Sequence, residues 1–255
     1  MHRKVFVNPP LTRLLKTTSP PFQRKNMILN LHKPSGITSH TVISILRNIT
    51  GEKRIGHAGT LDPFASGVLV VAITRAYTKQ LGEISIDTEK EYIATLELGK
   101  VSSTGDSEGE ITTLHQAENL QHLDAEHIRD ALHSFLGKSF QTPPQYSAVK
   151  VKGKTAYKLV RKGISVELPE REICIYDIEL LEFTVSTFNF RVKCSSGTYI
   201  RALGSDIGKK LGVGAYVSKL VRTKVGDFHL EDSIALENVK EYLEKHAKTL
   251  EREVL

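Results

Sequence analysis

The stretch Gly56-His57-Ala58-Gly59-Thr60-Leu61-Asp62-Pro63 brings one imidazole and one carboxylate into a single short segment. Its two glycines accept backbone angles that other residues resist, while Pro63 fixes its own φ and drives Asp62 towards an extended conformation. A tight loop presenting His57 and Asp62 is the expected result. Gly67-Val68-Leu69-Val70-Val71-Ala72-Ile73 follows as a continuous apolar run, long enough for one buried strand. A loop resting on a buried strand is rigid, and rigidity is what a catalytic carboxylate requires. By itself an Asp-Pro pair among glycines marks a turn, so the chemistry depends on what other segments bring to this loop.

Two further segments stand out by their pattern. Lys90-Glu91-Tyr92-Ile93-Ala94-Thr95-Leu96-Glu97-Leu98 alternates, which places Tyr92, Ala94, Leu96 and Leu98 on one face of a strand. Ser196-Gly197-Thr198-Tyr199-Ile200-Arg201 opens a helix whose apolar positions include Ile200, Leu203, Ile207 and Leu211, with Gly212 as its stop. A cation beside a buried carboxylate lowers its pKa by roughly 1–3 units and offsets desolvation, whereas Arg201 taken by itself reads as a surface arginine at the start of a helix. Residues 139–165 form the most basic stretch expected to fold, interleaving Lys150, Lys152, Lys154, Lys158, Arg161 and Lys162 with Tyr146 and Tyr157.

The remaining elements supply the frame. Ile28 to Gly36 reads as a short strand ending in a Pro/Gly turn. Val42, Ile45, Leu46 and Ile49 share one helix face. Arg75 to Leu81 reads as a short helix, and Ser102 to Glu110 as a polar loop. Asp124 is the N-cap of a helix with the apolar stripe Ile128, Ala131, Leu132, Phe135 and Leu136, ended by Gly137. Two long strands follow near 171–184 and 187–195, then a strand near 215–222 and a helix near 235–247. Strands and helices alternate without a regular βαβ rhythm, which gives an α+β class.

A chain of 255 residues with 40% hydrophobic and 25% charged residues can bury a substantial core. No apolar run approaches the ~18 residues of a membrane span. The net charge of +6 permits a polyanionic partner without demanding one. Cys174 and Cys194, the only cysteines, suit free thiols in a reducing compartment. Paired Cys or His spacings of zinc sites, a phosphate loop and a dinucleotide fingerprint are all missing from the sequence, which points to chemistry without a metal or cofactor. Residues 1–26 hold six Lys/Arg, no acidic residue and two Pro-Pro pairs. They read as a disordered extension, or as sequence upstream of a true start at Met27, with an organelle transit peptide as the alternative.

His57-Ala58-Gly59-Thr60-Leu61-Asp62-Pro63 with Ala65-Ser66-Gly67-Val68-Leu69 resembles the signature loop of the TruB family of RNA pseudouridine synthases. Lys90-Glu91-Tyr92 and Gly197-Thr198-Tyr199-Ile200-Arg201 resemble that family's further motifs, in the family's order. The opening strand is similar too, keeping Lys33-Pro34 but carrying His32 where an acidic residue is usual. The resemblance runs from about Met27 to Leu236. It implies a large mixed, mainly antiparallel sheet flanked by helices. It also implies Asp62 as nucleophile, Arg201 as its ion-pair partner, and Tyr92 as the ring that stacks on the target base and whose hydroxyl accepts a proton. His57 resembles the residue that wedges the RNA loop open; Lys33, Tyr199 and Leu220 complete the pocket, and Lys150, Lys152 and Lys154 grip phosphates.

The implied substrate is the uridine at position 55 in the TΨC loop of tRNA, and the implied protein is a cytoplasmic monomer. The catalytic domain is expected over 27–235, with a C-terminal helix over 236–255 in place of the small RNA-binding PUA domain of typical bacterial members. Two rivals stand beside this reading. A guide-RNA-dependent synthase shares the motifs but normally depends on a PUA domain. An RNA-binding folding helper would need no nucleophile.

Overall fold

The computed structural model describes residues 27–252 except 79–80, 83–87, 148 and 152; the expectations for residues 1–26 and for Lys152 lie outside the described residues. The chain opens with β1 (Met27–Lys33), α1 (Ser39–Thr50), β2 (Ile55–Ala58), β3 (Ser66–Ile73) and the short α2 (Arg75–Thr78). After β4 (Lys90–Leu98) come the small β5 (Lys100–Ser102) and β6 (Ile111–Thr113), α3 (Ala125–His133) and β7 (Gly137–Gln141). A two-stranded hairpin of β8 (Lys150–Val151) and β9 (Lys154–Thr155) leads into α4 (Ala156–Val160). The long pair β10 (Arg171–Phe183) and β11 (Thr187–Cys194) is followed by α5 (Ile200–Lys210) and β12 (Ala215–Val225). Then β13 (Phe228–His229), β14 (Ile234–Ala235) and α6 (Val239–Arg252) follow.

Among the described residues, ten strands join one sheet in the order β14-β1-β3-β12-β4-β11-β10-β7, with β2 on β3 and β13 on β12. Only β1/β14 and β3/β12 run parallel, so the sheet is mixed and mainly antiparallel. The β3/β12 seam is short, pairing Ser66 with Val221 and Gly67 with Arg222. Gly67 has φ +111°, and a Cβ there would run into the backbone of Arg222. Only glycine allows this approach. The seam sits directly below the loop that carries Asp62.

Helices cover each half of the sheet for reasons the periodicity makes plain. Val42, Ile43 and Leu46 of α1, with Val239 and Leu243 of α6, bury against Leu29, Leu31, Leu69 and Val71. In the other half, Ile128 and Leu132 of α3 and Leu203 and Ile207 of α5 bury against Leu96, Phe188, Phe190 and Val217. Each such side chain contributes roughly 1.5–3 kcal/mol of transfer free energy. Helix α5 lies close against β12, because a Cβ on Gly208 would collide with the backbone nitrogen of Ala215. That closeness holds the first turn of α5, which bears Arg201, against the sheet.

Several boundaries differ from the sequence reading. Helix α3 stops at His133, not Gly137, because the chain must reverse into β7 and pair with β10. Phe135 still packs on the core, but Leu136 is exposed. Helix α5 starts at Ile200, so Ser196–Tyr199 form the turn before it. Strand β12 continues through Val225 across two register shifts, and α6 is preceded by a turn of 3-10 helix over Leu236–Asn238. The segment read as a polar loop is flanked by the β5–β6 hairpin and is pinned by a bridge between Asp106 and Val217.

Candidate active site

The loop over residues 59–65 is fastened from three sides. Ser39, at the start of α1, accepts from the Leu61 N–H at 2.9 Å and donates to the Leu61 carbonyl at 3.0 Å. Lys33, with no exposed surface, donates to the carbonyls of Ile37 (2.7 Å), Pro34 (2.9 Å) and Pro63 (3.3 Å). The Gly36 N–H adds a bond to the Pro63 carbonyl, and Ser35 one to the Phe64 carbonyl. Burial pushes the Lys33 ammonium down to about 8, against the pull of Asp62. The Lys33-Pro34-Ser35-Gly36 turn thus acts as a bracket for the loop.

Asp62 and Arg201 meet at its tip. Arg201 donates from Nε to Asp62 Oδ2 at 2.8 Å and from Nη2 to Oδ1 at 3.4 Å. Its remaining N–H groups donate to the carbonyls of Thr104 and Tyr146, each at 2.8 Å. The same Nε lies 3.4 Å from Oδ2 of Asp106. The Arg201 and Asp106 side chains are each 4% exposed, whereas that of Asp62 is 36% exposed, so one carboxylate faces outwards and one is sealed behind the arginine. Burial pushes the Asp62 carboxyl above its usual range, with Arg201 opposing and Asp106 reinforcing the rise. The sequence reading expected the arginine to offset desolvation. It does so in part: the charge of Arg201 and its hydrogen bond pull the carboxyl down, against the larger effect of burial.

Tyr92 is buried beside this pair at 7% exposure. Burial pushes its phenol above the ordinary value, opposed by the Arg222 guanidinium. Arg222 donates from Nε to the Val68 carbonyl and from Nη2 to that of Gly59, each at 2.8 Å. His57 lies on β2, half-buried; burial, then the charges of Arg222 and His40, hold its pKa below 6.5, so the ring is neutral at neutral pH. Leu220 is buried in the cluster that includes Leu61 and Tyr92. Tyr199 is half-buried ahead of Arg201, where its N–H and carbonyl are held by the Gln141 side chain at 2.8 and 3.1 Å.

Lys150 and Lys154 are exposed on the β8–β9 hairpin, away from the carboxylate tip but tied to it through Tyr146, whose carbonyl accepts from Arg201. Ala156, Val166 and Leu168 give that hairpin its own small core. Asp106, Arg222, Ser39 and Gln141 were missed in the sequence. Arg222 left only a weak signal, being one of three basic residues on β12 with Lys219 and Lys224. Asp106 left a weaker one, an Asp after Gly105 whose carboxylate accepts from the Glu108 N–H. Ser39 and Gln141 left none.

A half-open carboxylate held by a buried arginine, beside a buried tyrosine, in a chain that also exposes a lysine-bearing hairpin, suits nucleophilic or general-base chemistry on a polyanionic substrate. Comparison with known proteins points the same way. Residues 47–200 match the family model of the TruB pseudouridylate synthase N-terminal domain, and residues 201–255 that of the tRNA pseudouridylate synthase B C-terminal domain. The tRNA pseudouridine synthase B of Francisella tularensis subsp. tularensis (strain WY96-3418) is 43% identical over 216 residues, 85% of this chain and 70% of that protein. The protein of the same name from Dehalococcoides mccartyi is 45% identical over 215 residues, 84% and 70% of the two chains. Among solved structures, the Cbf5-Nop10-Gar1 complex matches with TM-score 0.65 and 33% identity over 86% of this chain and 54% of the other. An H/ACA RNP bound to a substrate RNA containing 2'-deoxyuridine matches at 0.61 and 30%, over 84% and 52%. The chain therefore spans about half the length of those solved chains. With a family model over most of its length and relatives above 40% identity, the chain belongs to the TruB family of pseudouridylate synthases.

Proposed function

We propose that the protein converts the uridine at position 55 in the TΨC loop of tRNA to pseudouridine, with Asp62 as nucleophile. The observation that carries this reading is the Asp62–Arg201 pair, in which the arginine is sealed and the carboxylate keeps an open face. The reaction breaks the N-glycosidic bond, turns the freed uracil and rejoins it to the ribose through carbon. It requires the uridine to leave the RNA stack. Asp62 then attacks the ribose or assists a glycal-forming step, and Arg201 stabilises its charge before and after.

The surrounding residues suit the other requirements. The Tyr92 ring stacks on the target base, an interaction worth about 1–3 kcal/mol. A neutral His57 fits a stacking role in the place the base has left. Leu220 and Tyr199 wall the pocket, and Lys33 fixes the loop from beneath. The exposed Lys150 and Lys154 grip phosphates, and Lys152 between them is assigned the same role. Relatives named tRNA pseudouridine synthase B at 43–45% identity favour tRNA as the substrate. The enzyme works as a monomer in the cytoplasm; among the described residues no helix is long and apolar enough to cross a membrane.

Tritium release from tRNA transcript labelled at uracil C5 tests this reading, with wild type and Asp62→Asn side by side. Release by wild type alone, mapped to the TΨC loop, is the expected result. Equal release by Asp62→Asn would overturn the role of Asp62, and tight binding without release by either would favour an RNA-binding helper.

A further inference from the structure

We propose that Gln141 is a positioning residue for the reaction, holding the turn from which Arg201 reaches Asp62. Gln141 ends β7 and is 4% exposed. A buried amide is costly unless its donor and its acceptor both find partners, and an apolar side chain would close a strand end at lower cost. Here both groups meet a single residue. Nε2 donates to the Tyr199 carbonyl at 3.1 Å, and Oε1 accepts from the Tyr199 N–H at 2.8 Å.

Tyr199 is the N-cap of α5, and its own side chain makes no capping bond. Its carbonyl starts the helix by accepting from the Leu203 N–H at 3.0 Å. The Gln141 amide therefore grips the residue from which the helix departs, and Arg201 leaves that helix two residues later. Gln141 is itself fixed by the sheet, where it pairs with Arg171 of β10. A second tie lies close by in the chain. Arg201 Nη2 donates to the Tyr146 carbonyl at 2.8 Å, so the stretch Thr142-Pro143-Pro144-Gln145 is fastened to the start of α5 at both ends. Its two prolines restrict how far it can flex. One tie holds the backbone ahead of Arg201, and the other holds the guanidinium.

The pairing of Arg201 with Asp62 depends on how the fork is turned. Its two bonds measure 2.8 Å from Nε and 3.4 Å from Nη2, the second near the limit of hydrogen-bonding distance. Without the amide, the Tyr199 N–H loses its 2.8 Å acceptor and the turn is released to shift. A shift of about 1 Å at the start of α5 breaks the longer bond, and misplacement on that scale costs about 10²-fold in rate. Gln141 acts only through the arginine.

The inference rests on the proposed chemistry of Asp62 and Arg201, which Asp62→Asn tests by itself. Single-turnover tritium release at saturating protein would be compared for wild type, Gln141→Met, Arg201→Lys and the double variant, all below their melting temperatures. Filter binding gives the tRNA affinity of each. Gln141→Met keeps the length of the side chain and removes the amide. It should slow the bound-state rate by roughly 10²-fold and leave affinity within about twofold. In the Arg201→Lys background the same change should cost less than about threefold, because no fork is left to place. A wild-type rate for Gln141→Met would overturn the inference. Weaker binding with an unchanged bound-state rate would do so too, as would losses of equal size in both backgrounds. Equal release by Asp62→Asn and wild type would instead overturn the reading of Asp62. If Gln141→Met does not fold, Gln141→Glu gives the same comparison, since it keeps an acceptor for the N–H but sets a carboxylate against the Tyr199 carbonyl.

Discussion

Arg201 and Asp62, 139 positions apart in the chain, meet through a 2.8 Å hydrogen bond from Nε to Oδ2. The bond links the loop above β3 to the first turn of α5, and so joins the two halves of the sheet at their seam. Because Arg201 also donates to Thr104 and Tyr146, it fixes two further loops around the same carboxylate.

Lysine in place of Arg201 is therefore not conservative. An ammonium has no planar fork and cannot serve Asp62, Thr104 and Tyr146 together. Arg201→Lys should lower stability by on the order of 3 kcal/mol, because partners buried with it are left unpaired. Urea unfolding measures this, and turnover should fall alongside. A variant with wild-type stability and rate would mean that the other loops hold themselves.

Ser39 offers a narrower test of loop rigidity. Its hydroxyl satisfies both the N–H and the carbonyl of Leu61, next to Asp62, and is buried at 2% exposure. Ser39→Ala leaves two buried backbone groups without partners, a cost of about 1–3 kcal/mol. Turnover should fall more than tRNA affinity, because the loop places the carboxylate rather than the phosphates. Equal losses in both would place Ser39 in general folding.

Much of this frame was legible because local pattern and packing agree. The alternation of Tyr92, Ala94, Leu96 and Leu98 is the buried face of β4, and the apolar run from Gly67 to Ile73 is the buried β3. The Asp62–Arg201 pairing was legible only through family motifs, since nothing local tells residue 62 that residue 201 will reach it. Asp106 was hidden for a different reason. Polar loops are read as solvated, yet this one is drawn in by a bridge to Val217 and Asp106 becomes 3% exposed. Arg222 was passed over because it is one of three basic residues on β12, with Lys219 and Lys224, and only the three-dimensional arrangement shows the loop closing over it.

Asp62 should make the folded protein less stable at neutral pH. Burial raises its pKa from 3.8, so the folded state holds this proton more tightly than the unfolded chain does. The stabilising contribution is full below about pH 4 and is lost as pH rises through the folded value. A neutral amide at this position carries no such cost. Asp62→Asn should thus melt at a higher temperature than wild type near pH 7.5, with the gap closing towards pH 4, while activity is lost. Calorimetry across that range decides it; a lower melting temperature at neutral pH would mean that the bond to Arg201 outweighs desolvation.

The hairpin lysines give a prediction about binding rather than chemistry. Lys150 and Lys154 are exposed and flank Gly153, whose φ of +81° turns β8 into β9. Neither side chain holds the catalytic loop, so removing both should leave the bound-state rate unchanged. Each lysine–phosphate pair removed should reduce the steepness of log affinity against log salt by about 0.7–0.9. For the Lys150→Ala/Lys154→Ala protein the slope should therefore be shallower by roughly 1.5, with affinity weakened most at low salt. Filter binding of tRNA across a salt series, followed by single-turnover rates at saturating protein, separates the two effects. An unchanged slope would remove these lysines from the RNA path, and a slower bound-state rate would show that the hairpin acts on the bond from Arg201 to Tyr146.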